Sequence, residues 1–169
     1  IRQQGRDPDE LPIMVEANRL WRDLAGETNV DIGLKTGGVT YLARSEKEMA
    51  GYADWLPHAK MRGVDSRLLT PAETAELIPG MSRTYAGALY TATDMRAEPW
   101  VAVPALAGIA ARAGVSVVEN CAVRALDMAA GRVAGVVTEQ GRIAAGEVVL
   151  AGGAWSALFL RRHGVMLPQ

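Results

Sequence analysis

The sequence predicts a mixed fold of the α+β / α/β class, an antiparallel sheet with helices followed by a β-meander, and three observations carry that prediction. Segments with apolar residues at helical spacing alternate with short runs rich in β-branched residues. Two capping boxes, Ser45-Glu46-Lys47-Glu48 and Thr70-Pro71-Ala72-Glu73, mark helix starts. Toward the end, several short strands follow one another across hairpin turns. An apolar run at 148–151 then stops at Gly152-Gly153 and passes into a helical pattern that begins Trp155-Ser156.

Residues 8–25 read as the first helix. Asp7 offers a cap, Pro8 suits the first helical position, and Glu10 stands where a capping-box partner would. Leu11, Met14, Val15, Trp21 and Leu24 repeat at helical spacing; Pro12 argues for a start one turn later and Gly26 for the end. Residues 31–35 and 39–44 read as a hairpin across Thr36-Gly37-Gly38. The first capping box opens a helix to about 61, with Met49, Tyr52, Ala53 and Leu56 on one side. A strand at 66–69, a helix from the second box to the stop at Pro79-Gly80, and a strand at 86–91 closed by Thr93-Asp94 come next. The alanine-rich stretch 99–113 is expected to be a buried helix, kinked at Pro104 and ended by Gly114. Strands are expected at 115–119, 122–127, 132–138, 142–144 and 147–151.

With 169 residues, 49% of them hydrophobic, the chain can bury roughly 70% of its unfolded surface. A formal net charge of −1 and a pI near 6.2 give no electrostatic case for nucleic acid or an anionic membrane. The longest apolar stretch, 100–111, holds Pro104 and is too short to span a bilayer. Cys121 is the only cysteine, and His58 and His163 lack metal-ligand spacing, so no disulfide and no metal site is expected. A reducing, cytoplasmic setting is the default that follows. The chain begins at Ile1 and opens on Arg2-Gln3-Gln4-Gly5-Arg6 with no strand before it, which reads as a piece of a longer protein.

Most candidate chemistry dissolves into ordinary structure. No Gly-x-Gly occurs, so there is neither a dinucleotide fingerprint nor a P-loop, and no Gly-x-Ser-x-Gly supports a hydrolase. Cys121 reads as structural, His58 as surface, and His163 as a helix-end cation. Asp7/Asp9 and Glu46/Glu48 lie in first turns and complement helix dipoles; Trp21, Trp55 and Trp100 read as core. The exception is Gly152-Gly153. Glycines there let another group approach the backbone, and the helix start beyond offers free N–H groups.

Three stretches carry a family likeness: Gly114-Val115-Ser116-Val117-Val118-Glu119-Asn120-Cys121-Ala122-Val123, then Gly131-Arg132-Val133-Ala134-Gly135-Val136-Val137, then Val148-Val149-Leu150-Ala151-Gly152-Gly153-Ala154-Trp155-Ser156. Together they resemble FAD-dependent oxidoreductases of the D-amino-acid oxidase (DAO) family, nearest its glycine/sarcosine oxidase and dehydrogenase branch. The run from Gly87-Ala88-Leu89-Tyr90-Thr91 to Glu98-Pro99-Trp100 is similar to the family's return from substrate domain to flavin domain. The resemblance implies FAD as cofactor, with Ala122 and Val123 on the strand that contacts adenine and Gly152, Gly153 and Trp155 beside the flavin. It implies that Tyr41, Tyr90 and Thr91 lie on the sheet that meets the substrate. The turn Asp94-Met95-Arg96-Ala97-Glu98-Pro99 departs from the family's Asp-Gly pattern.

The resemblance further implies a central fragment of a two-domain flavoprotein: 1–27 and 98–169 as part of the FAD-binding domain, 28–97 as the substrate domain. The parent would oxidise an amine or amino acid of glycine, sarcosine or D-amino-acid type by hydride transfer. The isolated chain is expected to hold no FAD, to be inactive, and to self-associate through apolar surface such as 148–151. The alternative is a non-catalytic α+β binding or interaction module in which the glycine joint is an ordinary turn.

Overall fold

The computed structural model describes residues 1–167 and contains two compact units, Ile1–Ser116 and Val117–Gln169. The first unit runs α1 (Leu11–Glu27), β1 (Lys35–Thr36), β2 (Val39–Ala43), α2 (Glu46–Met61), β3 (Ser66–Leu69), α3 (Pro71–Leu77), β4 (Gly87–Thr91), β5 (Met95–Arg96), α4 (Pro99–Arg112). The mixed α/β class, with antiparallel sheets, is the expected one.

Pro12 decides where α1 begins. It takes the second helical position, and Asp7 builds the turn ahead of it, its carbonyl accepting from the N–H groups of Glu10 and Leu11 and its carboxylate from Asp9 N–H. The helix runs through Gly26 rather than stopping there. Leu11, Ala59 and Val64 form a buried cluster on which Val15 and Trp55 pack, so α1 lies against α2. Trp21 of α1 also shares a small cavity with Pro99, Ala102 and Val103 of α4.

The hairpin expected across Thr36-Gly37-Gly38 does not form. β1 pairs with β5, while β2 pairs with β4 in an antiparallel sheet of order β2-β4-β3. Short-range turn chemistry loses here to a long-range pairing that buries Ala88 and Leu89 completely or nearly so. Both capping boxes mark true helix starts. At α3 the Thr70 hydroxyl accepts the Glu73 N–H at 3.2 Å and the Glu73 carboxylate accepts the Thr70 N–H at 2.8 Å. At α2 the Ser45 hydroxyl accepts the Glu48 N–H, but Glu48 reaches back one residue further, to the Arg44 N–H.

Helix α4 continues through Pro104 and ends with Val115 N–H on Ala110 O and Gly114 N–H on Ala111 O, Gly114 taking φ +91°. It is not the buried helix its composition suggests. Only Ala102 is buried, and Trp100, expected in the core, is 89% exposed.

The second unit is a meander of β6 (Val123–Ala129), β7 (Arg132–Thr138) and β8 (Gly141–Ala144), then a 3-10 turn (Gly153–Trp155) and α5 (Ser156–Arg161). The strands expected at 115–119 and 147–151 are absent among the described residues. An apolar run becomes a strand only when a neighbour satisfies its backbone, and no strand pairs with either segment; Val149 is 91% exposed.

Candidate functional site

Strand alternation sorts the expected substrate residues of the first unit onto two faces. Tyr41 pairs with Leu89, and Thr91 pairs with Val39 and Ser66, which puts Tyr41, Leu89 and Thr91 on one face. Tyr90, opposite Thr40 and Arg67, projects from the other. Thr91 is fully buried and its hydroxyl is 2.5 Å from that of Ser66, so it ties β3 to β4 inside the sheet. Tyr90 is half-buried with the Arg67 guanidinium 5.8 Å from its ring centroid, and Arg67 in turn pairs with Glu73 at 3.2 Å.

Tyr41 lines a cavity. That cavity, of about 410 Å³, is walled by Gly5, Tyr41, Glu48, Gly51, Tyr52, Trp55 and Leu89. The Tyr41 and Tyr52 rings are 6.3 Å apart and inclined at 48°. Burial, and then the charge of Glu48, pushes the Tyr52 phenol above its ordinary value, so it stays a hydrogen-bond donor at neutral pH. The Trp55 indole donates to Arg6 O at 2.8 Å, and the Arg2 guanidinium sits 5.4 Å from the Tyr41 centroid. The rings of Tyr41, Tyr52 and Trp55 have faces of the kind that take a cationic group, and on Tyr41 the Arg2 guanidinium already does so. Tyr52, Trp55 and Glu48 were not among the expected site residues. On the sequence Tyr52 lies on the apolar side of a helix, Glu48 belongs to its capping box and Trp55 reads as core, and only the docking of α2 on β2 assembles them with Tyr41.

In the second unit, Val123 opens β6, an edge strand, opposite Thr138, and is 46% exposed. Ala122 exchanges hydrogen bonds with Glu139: its carbonyl accepts the Glu139 N–H at 3.2 Å and its N–H donates to the carboxylate at 3.4 Å. The outer edge of β6 can be engaged from outside, since the Leu126 N–H already donates to His163 Nε2 at 3.2 Å. His163 therefore latches α5 to the meander, with its ring beside Phe159, rather than serving as a helix-end cation. At the glycine joint, Gly153 takes φ +54° and begins the 3-10 turn; the Trp155 N–H donates to Gly152 O at 3.1 Å. A Cβ at Gly153 would meet nothing within 4 Å, and the indole of Trp155 is 76% exposed.

Comparison with known proteins bears directly on this arrangement. Residues 1–169 match the family profile described as DAO, FAD dependent oxidoreductase. The chain belongs to that family. It is 33% identical over 166 residues to sarcosine dehydrogenase, mitochondrial, of Homo sapiens, covering 94% of this chain and 18% of that protein. It is 32% identical over 148 residues to D-amino acid dehydrogenase of Sinorhizobium medicae, covering 86% of this chain and 36% of that protein. The structure of L-amino acid deaminase from Proteus myxofaciens, in complex with anthranilate, superposes with a TM-score of 0.84 at 29% identity, covering 99% of this chain and 39% of that one. The chain thus spans less than half the length of these DAO-family relatives.

The residues of the second unit fit part of the cofactor that defines the family. Open space over Gly153 lets a planar ring or a polyol chain approach the backbone, and the exposed Trp155 offers an aromatic surface. The free edge of β6 at Val123 offers backbone donors and acceptors to a nucleobase. A glycine-rich turn for the pyrophosphate does not occur among these 169 residues.

Proposed function

We propose that this chain supplies the substrate-side sheet and part of the FAD-binding surface of an oxidoreductase that oxidises an amine or amino acid. The reading divides function as 1–27 with 98–169 for the cofactor and 28–97 for the substrate; the cavity that Trp21 shares with Pro99, Ala102 and Val103 supports grouping α1 with α4. Ala122 and Val123 would hold adenine at the edge of β6, and Gly152, Gly153 and Trp155 would lie along the flavin and its polyol chain. When bound, FAD supplies the acceptor for a hydride from the carbon beside the substrate nitrogen. Tyr41 would wall the substrate, with Tyr52, Trp55 and Glu48 attracting the ammonium group and excluding water. Thr91, buried and bonded to Ser66, would hold the sheet beneath the cavity rather than touch substrate, and Tyr90 lies on the face away from it.

The observation that carries this reading is the cavity at Tyr41, whose lining by Tyr41, Tyr52 and Trp55 with Glu48 beside them suits an amine. The relatives support it, since their names specify sarcosine, D-amino acids and L-amino acids as substrates. A cytoplasmic setting, favoured by the single unpaired cysteine, belongs to the same reading. So does self-association of the isolated chain through Val149 and Trp155.

Anaerobic mixing of the full-length protein with sarcosine, glycine and a panel of D- and L-amino acids tests the proposal. Bleaching of the visible flavin band by at least one of them is the expected result. A protein whose flavin is reduced by none of them, yet by a substrate without nitrogen, would overturn the reaction class.

A further inference from the structure

Residues 1–6 form a strap that is fastened at both ends and passes Tyr41 between the fastenings. At one end lies Asp94, fully buried in the turn between β4 and β5. Its Oδ1 accepts the Gln3 N–H at 2.8 Å and the Gln3 side-chain amide at 3.2 Å, and its Oδ2 accepts the Gln4 N–H at 3.1 Å. Ile1 and Met95 exchange backbone hydrogen bonds beside it, at 2.8 and 3.1 Å. The Asp94 carbonyl also accepts the Gly38 N–H at 3.0 Å, immediately before β2 carries Tyr41 into the sheet. At the other end the Trp55 indole holds Arg6 O. Between them Arg2 covers the Tyr41 ring, and Gly5 is pressed so closely on it that a Cβ would come within 2.8 Å of Tyr41 Cε2.

We propose that Asp94 is a positioning residue for the substrate cavity: its buried carboxylate, through the N–H groups of Gln3 and Gln4, sets the strap that frames Tyr41. A charged acceptor is the strongest partner two successive backbone N–H groups can have. Burial makes the loss of either bond costly, so the strap has one position rather than several. This inference rests on the reading of the Tyr41 cavity as the substrate site.

Asp94→Asn in the full-length enzyme is the test, because an asparagine keeps the shape but turns a donor toward one of the two N–H groups. Amide exchange at Gln3 and Gln4 should accelerate about tenfold or more. KM for the reducing substrate should rise about tenfold, with kcat within about twofold and flavin content unchanged. In a Tyr41→Leu background the same substitution should add little further KM. Unchanged exchange overturns the proposal, as does an equal KM increase in both backgrounds, which would mark Asp94 as merely structural. If Asp94→Asn yields no folded enzyme, Asp94→Glu keeps the charge but displaces the acceptor from the N–H groups of Gln3 and Gln4, whose amide exchange should again accelerate. A KM-only increase is again expected, and an unchanged KM overturns the idea. Should no amine reduce the wild-type flavin, the substrate reading has failed, and the exchange result alone then decides whether Asp94 holds the strap.

Discussion

The two units both expose large apolar side chains, but only the first has a packed apolar core among the described residues. Among the described residues every buried apolar side chain, from Leu11 to Ala102, belongs to the first unit, whereas the second buries only Gly135 and Thr138. The first unit is held by side-chain packing of α1, α2 and the β2-β4-β3 sheet. The second is held mainly by the backbone ladder of its meander and by single fastenings such as His163 on Leu126. Its large apolar groups, Val123, Val149 and Trp155, face outward. An apolar surface of that kind on a thin meander is what a partner surface or a cofactor would cover.

Removing packing from the first unit should have the largest effect. Leu11→Ala leaves a hole between α1 and α2 where Ala59 and Val64 cannot close in, and should cost about 3 kcal/mol. Denaturant unfolding followed by tryptophan emission measures the cost, and hydrogen exchange should locate the lost protection within residues 1–116. A cost below about 1 kcal/mol would show that this cluster does not organise the unit.

The matching blow to the second unit is to its ladder. Gly135 on β7 has φ +151°, and a Cβ there would collide with the carbonyl of Ile143 on the neighbouring strand. Gly135→Ala should therefore cost about 2 kcal/mol and strip exchange protection from β7 and β8 while sparing the first unit. Equal loss in both units would erase the distinction between them.

What the sequence revealed follows the same divide between local and long-range causes. Capping boxes, hairpin turns and helix-ending glycines are local chemistry, and the starts of α2 and α3, the β6-β7-β8 meander and the end of α4 could be read from them. The partner of β2 could not, because Thr36-Gly37-Gly38 suits a hairpin equally well, and the decision rests on burying β4 far along the chain. Exposure of α4 was hidden for a related reason: alanine-rich composition states that a helix can be buried, not that anything covers it. Tyr41 was legible as an aromatic strand residue, but its cavity needs α2 and the strap. Asp94 looked like any turn aspartate until its two oxygens met Gln3 and Gln4.

The first unit has one flaw in its packing, and correcting it should raise stability by a smaller amount. Gln4 is fully buried, yet neither its side-chain oxygen nor its nitrogen has a partner among the described residues. Gln4→Met keeps the volume and removes two unpaired polar atoms, and should stabilise by about 1 kcal/mol. Thermal unfolding measures it; a lowered midpoint would reveal an ordered water or another partner on that amide.

The smallest effect separates the capped helices of the first unit from α5, whose start has no side-chain cap. Glu73 is held below the usual carboxylate range, first by the Thr70 backbone N–H, then by the Thr70 hydroxyl, with Arg67 adding less. A carboxyl group that is more acidic in the folded chain than in the unfolded one stabilises the fold above its ordinary titration range. That contribution fades as pH falls through the folded value. Thr70→Ala removes the hydroxyl partner and should cost about 1 kcal/mol near neutral pH. Because Glu73 in the wild type loses its charge on acidification, the gap between wild type and variant should narrow as pH drops from 7 toward 3. Unfolding midpoints at stepped pH would show this. A gap that stays constant would mean that Thr70 contributes only as a neutral cap and that its hydroxyl adds nothing to the charged form of Glu73.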